Sequence, residues 1–301
     1  MPSPRPLFSC LSILAVSVAM AACSRYGKEI PPGQLQAARG FAAAQSAGVL
    51  QDSALNEISG CAASRRQPGL LWLHNDSGDS ARIFAVNHKG VLQKTYTLEG
   101  VKANDFEDIA IGPGPQAGEH YLYLGDIGDN WGWRRSAQVY RMAEPDSAQP
   151  GASLRPESFT IHYPGGALDA ETLMLDPANG DLYIVSKRET PNRVFRFRAP
   201  LRDGGVYTGE EVGQVNIDWL TGGDISADGA QILLRTVRHI YLWQRAPGES
   251  IAAALQRAPL QAPAGKEHQG EAVCWAANGR DYYSLSEGKQ QHLYFYRHTG
   301  P

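Results

Sequence analysis

Aliphatic and aromatic residues alternate with polar residues along most of the chain beyond residue 50, and this two-residue period is typical of β-strands. The clearest alternating runs end in turn residues: LLWLHND from Leu70, YLYLGDIGDN from Tyr121, DLYIVSKRE from Asp181, QILLRTVRH from Gln231 and DYYSLSEGK from Asp281. A second alternating run follows each of them: ARIFAVN, QVYRMAEP, RVFRFRAP, IYLWQRAP and HLYFYRH. The pattern predicts many short strands joined by turns.

A third kind of segment, a short apolar strand that opens with polar or acidic residues, precedes each pair of runs. These segments are NEISGCAAS, NDFEDIAIGP, LDAETLMLDP, TGGDISADG and QGEAVCWAA. More polar fourth strands are expected between the units: VLQKTYTLEG, ESFTIHYPGG, VGQVNIDWLT and IAAALQRAPL. Units of three or four strands that repeat about every 50 residues predict an all-β, five-bladed β-propeller. A six-bladed ring is the alternative, although the chain holds only five copies of the pattern.

The last unit has no fourth strand of its own, because the chain ends at Pro301. We therefore expect the N-terminal segment around residues 36–50 to supply that strand and close the ring. Closure would cover the two free sheet edges, which otherwise invite aggregation.

The first residues carry the features of an export signal. Arg5 precedes an apolar run from Leu7 to Met20, which is too short and too close to the terminus for a membrane span. The small residues before Cys23 resemble the lipobox of bacterial lipoproteins, and that resemblance implies that Cys23 is lipidated. Ser24 would then favour sorting to the outer membrane.

This resemblance implies a lipoprotein signal peptide over residues 1–22. A tether over residues 23–35 would follow, and the repeated strand units predict a single propeller domain over residues 36–301. The protein would lie in the bacterial cell envelope, facing the periplasm, and would touch the membrane through its lipid anchor only. Ordinary cleavage after Ala21 is the alternative, and it would leave a soluble periplasmic protein.

Composition and charge narrow the function classes. A chain of 301 residues with 43% hydrophobic residues is long enough to bury a large core, so disorder is excluded as its main state. Lys and Arg total 28 against 31 for Asp and Glu, which gives a net charge of −3. Nothing in this balance indicates nucleic-acid binding.

Two cysteines remain in the folded part, Cys61 and Cys274. They belong to the first strands of blades one and five, which ring closure would make neighbours. In an oxidising compartment the two thiols could form a disulfide. The alternative is a pair of buried free thiols, which is where free cysteines are commonly found.

The first strand of each blade would line the central channel. Alignment of the apolar positions places four oxygen-bearing residues in one equivalent slot: Ser59, Glu107, Glu171 and Glu271. In blade four the same alignment gives Gly223, with Asp224 one position later. Carboxylates that converge on a narrow channel repel one another unless a cation compensates, and oxygen ligands suit calcium. The alternative is that Glu and Ser cap main-chain groups and bind only water.

The turns after the second strands gather polar side chains on one face of the disc. The candidate ligand-binding residues are His74, Asp76, Asp126, Asp129, Lys187, Arg188, Arg235 and Glu287. Acidic residues of the first two blades would face cations of the next two and form a pocket for a small anionic ligand. The alternative is ordinary turn chemistry, because Asn, Asp and Gly are favoured in turns.

Trp131 and Trp133, in the string DNWGWRR, form a conspicuous aromatic pair in a predicted loop. They could stack on a sugar or a base. Alternatively, burial of the tryptophans could anchor the loop.

The slot order Ser, Glu, Glu, polar, Glu in a five-bladed propeller is similar to that of the calcium-activated nucleotidases, or apyrases, whose central calcium is held by one residue from each blade. The resemblance implies that Ser59, Glu107, Glu171 and Glu271 are ligands, with Asp224 or the Gly223 carbonyl in the place of a serine. The strings HNDSGDSARIFAV, DFEDIAIGP and YLYLGDIGDN also resemble secreted bacterial β-propeller proteins, most of them without an assigned activity.

Three functions fit these features. The first is a lipid-anchored, calcium-binding propeller with hydrolase activity on a phosphate ester or lactone. The second is a non-catalytic scaffold of the cell envelope that binds a protein or a glycan. The third is a lactonase that resembles the six-bladed gluconolactonases, in which a channel metal is catalytic. The chain lacks the GxSxG, HExxH, Walker and GxGxxG motifs that would point elsewhere.

Overall fold

The computed structural model describes residues 34–148 and 152–300. The export signal, the lipidation of Cys23 and most of the tether lie outside the described residues. Within those two ranges, no helix is long and apolar enough to cross a membrane.

The described residues form five sheets that stand as the blades of a β-propeller. Strand β1 (Gln45–Val49) comes first in the chain and belongs to the last blade. Blade one contains β2 (Ile58–Ala63), β3 (Leu70–Asn75), β4 (Arg82–Asn87) and β5 (Leu92–Leu98). Blade two contains β6 (Phe106–Pro113), β7 (His120–Asp126), β8 (Ala137–Ala143) and β10 (Glu157–His162). The short strand β9 (Ser153–Leu154) precedes β10 in the chain and pairs with β5.

Blade three contains β11 (Ala170–Leu175), β12 (Leu182–Ser186), β13 (Asn192–Phe197) and β15 (Glu210–Val215). The short strand β14 (Val206–Thr208) precedes β15 in the chain and pairs with β10. Blade four contains β16 (Leu220–Ile225), β17 (Gln231–Thr236), β18 (Ile240–Gln244) and, after helix α1 (Ile251–Leu255), β19 (Leu260–Ala262). Blade five contains β20 (Gly270–Trp275), β21 (Tyr282–Ser286), β22 (His292–Tyr296) and β1. The pairing of these strands is antiparallel throughout, except where the short strands β9 and β14 each add in parallel to the edge of a blade. The predicted five-bladed propeller is confirmed.

The N-terminal strand closes the ring, as predicted. Strand β1 pairs antiparallel with β22, with Gln45 opposite Phe295 and Val49 opposite His292. The same strand reaches blade one, because Gly48 packs against the main chain of Lys89 in the β4–β5 turn. One segment therefore completes the last blade and joins it to the first.

The apolar core is divided into five clusters, and one cluster fills each gap between neighbouring blades. Cys61 and Cys274 belong to the cluster between blades five and one. Ring closure makes them neighbours, as expected, but both are free thiols in the structure. Burial raises the pKa of the Cys61 thiol, and a hydrogen bond with Cys274 raises it further.

One predicted strand is wrong in its first half. The segment IAAALQRAPL begins as helix α1, and only its last residue enters strand β19. The side chain of Ser250 caps the helix by accepting a hydrogen bond from Ala253 N at 3.1 Å. Three consecutive alanines have the highest helix propensity, and this local preference outweighs the blade pattern.

We expect Gly48→Ala to weaken ring closure. A Cβ at this position would lie 1.8 Å from the Lys89 carbonyl oxygen, so β1 must shift away from blade one. Overpacking of this kind costs about 1–3 kcal/mol, and thermal unfolding followed by circular dichroism should show a lower Tm.

Gln45→Ala is the matched control, because Gln45 is an exposed residue of the same strand. Its Tm should stay close to that of the wild type. A Gly48→Ala protein as stable as the wild type would contradict the closing role of β1.

Candidate functional site

Each innermost strand carries one β-bulge at the same end of the channel. The residues skipped in the pairing registers are Ser59, Glu107, Glu171, Thr221 and Glu271. A bulge leaves one residue unpaired and re-aims its side chain. The five bulges therefore present one side chain per blade at the mouth of the channel.

The blade-four position differs from the sequence alignment. The bulge lies between Leu220 and Gly222, so Thr221 is the equivalent residue. Asp224 lies three residues farther along the strand, where its carboxylate accepts hydrogen bonds from Ile225 N and Trp275 N, both at 2.8 Å. The placement of Asp224 or Gly223 in the slot is therefore wrong, because single-sequence alignment of apolar positions cannot see a bulge.

The two hydroxyl members of the ring join neighbouring blades. Ser59 Oγ donates to the Glu107 carbonyl oxygen at 2.7 Å, and Thr221 Oγ1 donates to the Gly270 carbonyl oxygen at 3.0 Å. Their capping of main-chain groups matches the alternative role considered from the sequence. Each hydroxyl oxygen keeps a lone pair for a further contact.

The carboxylates converge closely. Oxygen atoms of Glu107, Asp169 and Glu171 all lie within 4.8 Å of one another, and those of Asp76, Asp105 and Glu107 form a second group of the same size. We call these five residues together with Glu271 the acidic mouth. Sequence reasoning missed Asp105 and Asp169, although each stands two residues before its glutamate in NDFEDIAIGP and LDAETLMLDP. That shared Asp-x-Glu spacing was the available signal.

Burial and mutual repulsion disfavour the charged carboxylates. The pKa values of Glu107 and Glu271 are raised well above the ordinary value, first by burial and then by the charge of Glu171. Burial also raises the pKa of Glu171 to about 7. The pKa of Asp105 rises to about 6, because of burial and then because of Asp76 and Asp169.

The most deeply buried cation that faces this cluster is Lys187. The Lys187 ammonium forms an ion pair with Glu171, and the two side chains are 12% and 5% exposed. Burial by itself lowers the Lys187 pKa, but the charges of Glu171, Glu271 and Glu107 raise it above its usual value. Lys187 follows β12, where its N–H donates to the Asp169 carbonyl at 3.0 Å. A single ammonium therefore serves several carboxylates.

Gly128 leaves room for the acidic mouth. A Cβ at this residue would lie 2.0 Å from Glu107 Oε1 and 2.5 Å from Asp105 Oδ2. The space around these two carboxylates therefore depends on the missing side chain.

Two of the residues predicted to bind a ligand, Asp126 and Asp129, have structural roles instead. Asp126 accepts hydrogen bonds from the main-chain N–H groups of Asn104 at 3.1 Å and Asp105 at 3.2 Å, and it pairs with Arg134 at 2.7 Å. Asp129 accepts from Trp133 N at 2.9 Å and from Arg134 N at 2.8 Å. Both carboxylates are occupied as loop anchors.

Arg235 is also buried. Its guanidinium pairs with Glu267 at 3.2 Å and donates to the Ala272 carbonyl at 2.9 Å, so it joins blades four and five. The expectation that Arg235 faces an anionic ligand is therefore wrong. The sequence places Arg235 at the ligand-binding face because it lies near a turn. Successive side chains of a strand point to opposite faces of the sheet, so closeness to a turn does not decide which face a residue occupies.

His74 is completely buried and neutral at pH 7. Its Nδ1 lies 2.9 Å from the Asn75 carbonyl oxygen, and burial lowers its pKa to about 4. Its Nε2 is buried beside Gly60 and has no hydrogen-bond partner among the described residues. The structure therefore places His74 under the channel mouth and away from the surface.

Asp76, Glu287 and Arg188 do lie at the mouth. Asp76 belongs to the acidic mouth, and burial raises the pKa of its carboxyl. Burial followed by Glu57 raises the pKa of Glu287 to about 8. Arg188 pairs with Asp169 and lies 4.8 Å above the Trp219 ring. The structure thus brings these three together with Lys187 and the glutamates.

Comparison with protein-family models gives no match, and comparison with curated proteins gives none. Among solved structures, the chain is similar to a chain of one titled "Crystal structure of Nidogen/Laminin Complex". The sequence identity is 13% and the TM-score is 0.43, over 77% of this chain and 73% of that chain. Likeness at this level says nothing about function, and the similarity to the calcium-activated nucleotidases stays a prediction.

The acidic mouth and the neighbouring Glu287 should make stability depend on pH. The pKa values in the fold of about 6 for Asp105, about 7 for Glu171 and about 8 for Glu287 lie above the ordinary values of 3.8 and 4.5. These groups keep protons that the unfolded chain releases, so the stability they contribute is full below about pH 4 and is lost as pH rises to about 8. In chelator, the free energy of unfolding should therefore fall as pH rises from about 5 to 8.

Glu171→Gln should flatten this slope, because it removes a carboxyl that is 4% exposed. Glu210→Gln is the control, since Glu210 is an exposed surface residue that pairs with Arg196 and Arg198. Denaturant titrations at several pH values measure both. A stability that stays level or rises over this range would contradict the account.

Proposed function

We propose that this propeller binds a divalent cation, calcium, at the acidic mouth. The observation that carries the proposal is that oxygen atoms of Glu107, Asp169 and Glu171 meet within 4.8 Å. Among the described residues, two cations form ion pairs with the six carboxylates of the acidic mouth, Lys187 with Glu171 and Arg188 with Asp169. Groups this close and this buried favour a bound cation over several protonated carboxyls at neutral pH.

The residues present fit such an ion. All the donors are carboxylate or hydroxyl oxygens, and calcium takes six to eight of these in a flexible geometry. Glu107, Glu171 and Glu271 would hold the ion, with the hydroxyls of Ser59 and Thr221 beside them. Thr221 gives blade four the oxygen donor that the alignment lacked, and this supports the resemblance to the nucleotidase slot order.

The proposed activity is hydrolysis of a phosphate ester or a lactone. Bound calcium would polarise an oxygen of the ligand or of water. The cations that remain at the mouth, Lys187 and Arg188, would neutralise an anionic ligand, although each pairs with a carboxylate in the structure. Displacement of Lys187 from Glu171 by calcium would free its ammonium for that ligand.

A second candidate is a non-catalytic scaffold that binds an envelope protein or glycan through the same face. The observation that favours it is the occupation of Asp126, Asp129 and Arg235 by structural hydrogen bonds, which removes three residues from the candidate chemistry. For either function, we propose the cell envelope as the location, with Cys23 as lipid anchor, on the basis of the sequence alone.

Calcium should raise the Tm of the chelator-treated protein by several degrees, because a ligand that binds only the folded state stabilises it by about 2.7 kcal/mol at 100 times its Kd. Glu107→Gln and Glu171→Gln should each lose most of this shift. Lys187→Met should bind calcium more tightly than the wild type, since it removes the competing ammonium. Differential scanning fluorimetry over a calcium titration measures all three variants.

Glu210→Gln is the matched control and should keep the full calcium shift. Two results would overturn the cation site: a wild-type Tm that is the same in calcium and in chelator, or an undiminished shift in Glu107→Gln.

If the protein is a hydrolase, turnover on nitrophenyl phosphates, nucleotides or aliphatic lactones should require calcium and disappear in chelator. Glu171→Gln should then lower kcat by at least about a hundredfold, because it removes a cation ligand next to the reacting group. A calcium-binding protein without turnover on the whole panel would reject the hydrolase and favour the scaffold.

A further inference from the structure

We infer that Trp131 and Trp133 form a binding platform for a pyranose ring of a neutral carbohydrate. The two indole side chains are 75% and 78% exposed, so the loop is not anchored by tryptophan burial. Their rings stack on each other, with centroids 5.6 Å apart and planes 25° apart. The pair leaves a large aromatic surface in water, and such a patch on a soluble domain marks a binding site.

The loop that carries the pair is held rigidly. The Asp129 carboxylate accepts the N–H groups of Trp133 and Arg134, and the Asp129 carbonyl accepts Gly132 N at 2.9 Å. The Arg134 guanidinium donates to the carbonyls of Gly128 at 2.7 Å and Asp126 at 3.0 Å. A platform ordered in advance loses little conformational entropy when a ligand binds.

The platform adjoins the acidic mouth. Asp129 N donates to Asp169 Oδ1 at 2.8 Å, and the Arg188 guanidinium donates to Asn130 Oδ1. A ligand on the indoles would therefore lie next to hydrogen-bonding groups of both kinds, donors from arginine and acceptors from carboxylates.

Charge selects among the ligands that could stack on an indole. The carboxylates around the loop already have partners: Asp129 accepts the main-chain N–H groups of the loop. Asp126 pairs with Arg134, and Asp169 pairs with Arg188. These guanidinium groups disfavour a cationic ligand, and the carboxylates disfavour an anionic one. A neutral sugar suits both features, because its C–H face packs on indole and its hydroxyls donate and accept at the paired charges.

The inference does not require the proposed calcium site, because no residue of the platform belongs to the ring of bulges. Binding should therefore persist in chelator. If the wild-type protein binds a sugar but no calcium, only the proposed cation site is rejected. If it binds calcium but no sugar, only the platform is rejected.

The test is titration of the purified protein with a panel of neutral oligosaccharides of glucose, galactose, mannose and N-acetylglucosamine, by calorimetry and by intrinsic fluorescence. We expect at least one member to bind and to change the tryptophan emission. The double variant Trp131→Ala/Trp133→Ala should weaken that binding by at least about tenfold, whereas Trp133→Phe should stay within about threefold of the wild type. The double variant should keep its Tm, because both side chains are exposed.

Val206→Ala is the matched control, since Val206 is an exposed apolar residue that is 66% accessible on β14, and it should leave binding unchanged. Comparison of a free polysaccharide with a glycoprotein that carries the same sugar would identify the source of the ligand. The platform would be overturned if no sugar of the panel bound, or if the double variant bound sugar as tightly as the wild type. It would also be overturned if the tryptophans bound tetramethylammonium or lipid vesicles and no sugar.

Discussion

Repulsion among buried carboxylates at the channel mouth is the constraint on which the site depends. Five blades bring Glu107, Glu171 and Glu271 to one end of a narrow channel, where burial makes each negative charge costly. Lys187 offsets part of that cost by its ion pair with Glu171. The rest must be met by protons or by a bound cation. The same repulsion therefore links the stability of the fold to its proposed chemistry.

The fold produces this convergence by one repeated device. A bulge near the start of each innermost strand re-aims one side chain, and the serine and threonine members fasten neighbouring blades through main-chain carbonyls. Closure by β1 holds the ring together, so the spacing of the carboxylates is set by the whole propeller. On the same face, Asp129 connects the tryptophan loop to Asp169. The two proposed sites are thus neighbours built on separate residues.

The blade pattern was readable from the sequence because strand alternation and the repeated unit depend on local physics, and this gave the five blades and the closing strand. The same alternation placed Ser59, Glu107, Glu171 and Glu271 in equivalent positions, and all four are bulge residues in the structure. The position of Thr221 was not readable, because a bulge changes register without changing the apolar pattern. The roles of Arg235 and Asp126 could not be predicted for another reason. The sequence does not distinguish a charged residue near a turn that faces solvent from one that is buried in structural hydrogen bonds. The sequence does not decide whether Cys61 and Cys274 are bonded, and both are free thiols in the structure.

Anomalous diffraction from crystals grown in calcium tests the central claim most directly. The account predicts an anomalous peak between the carboxylates of Glu107 and Glu171, with the Lys187 ammonium moved away from Glu171. Density for that ammonium on Glu171 with no anomalous peak at saturating calcium would contradict it.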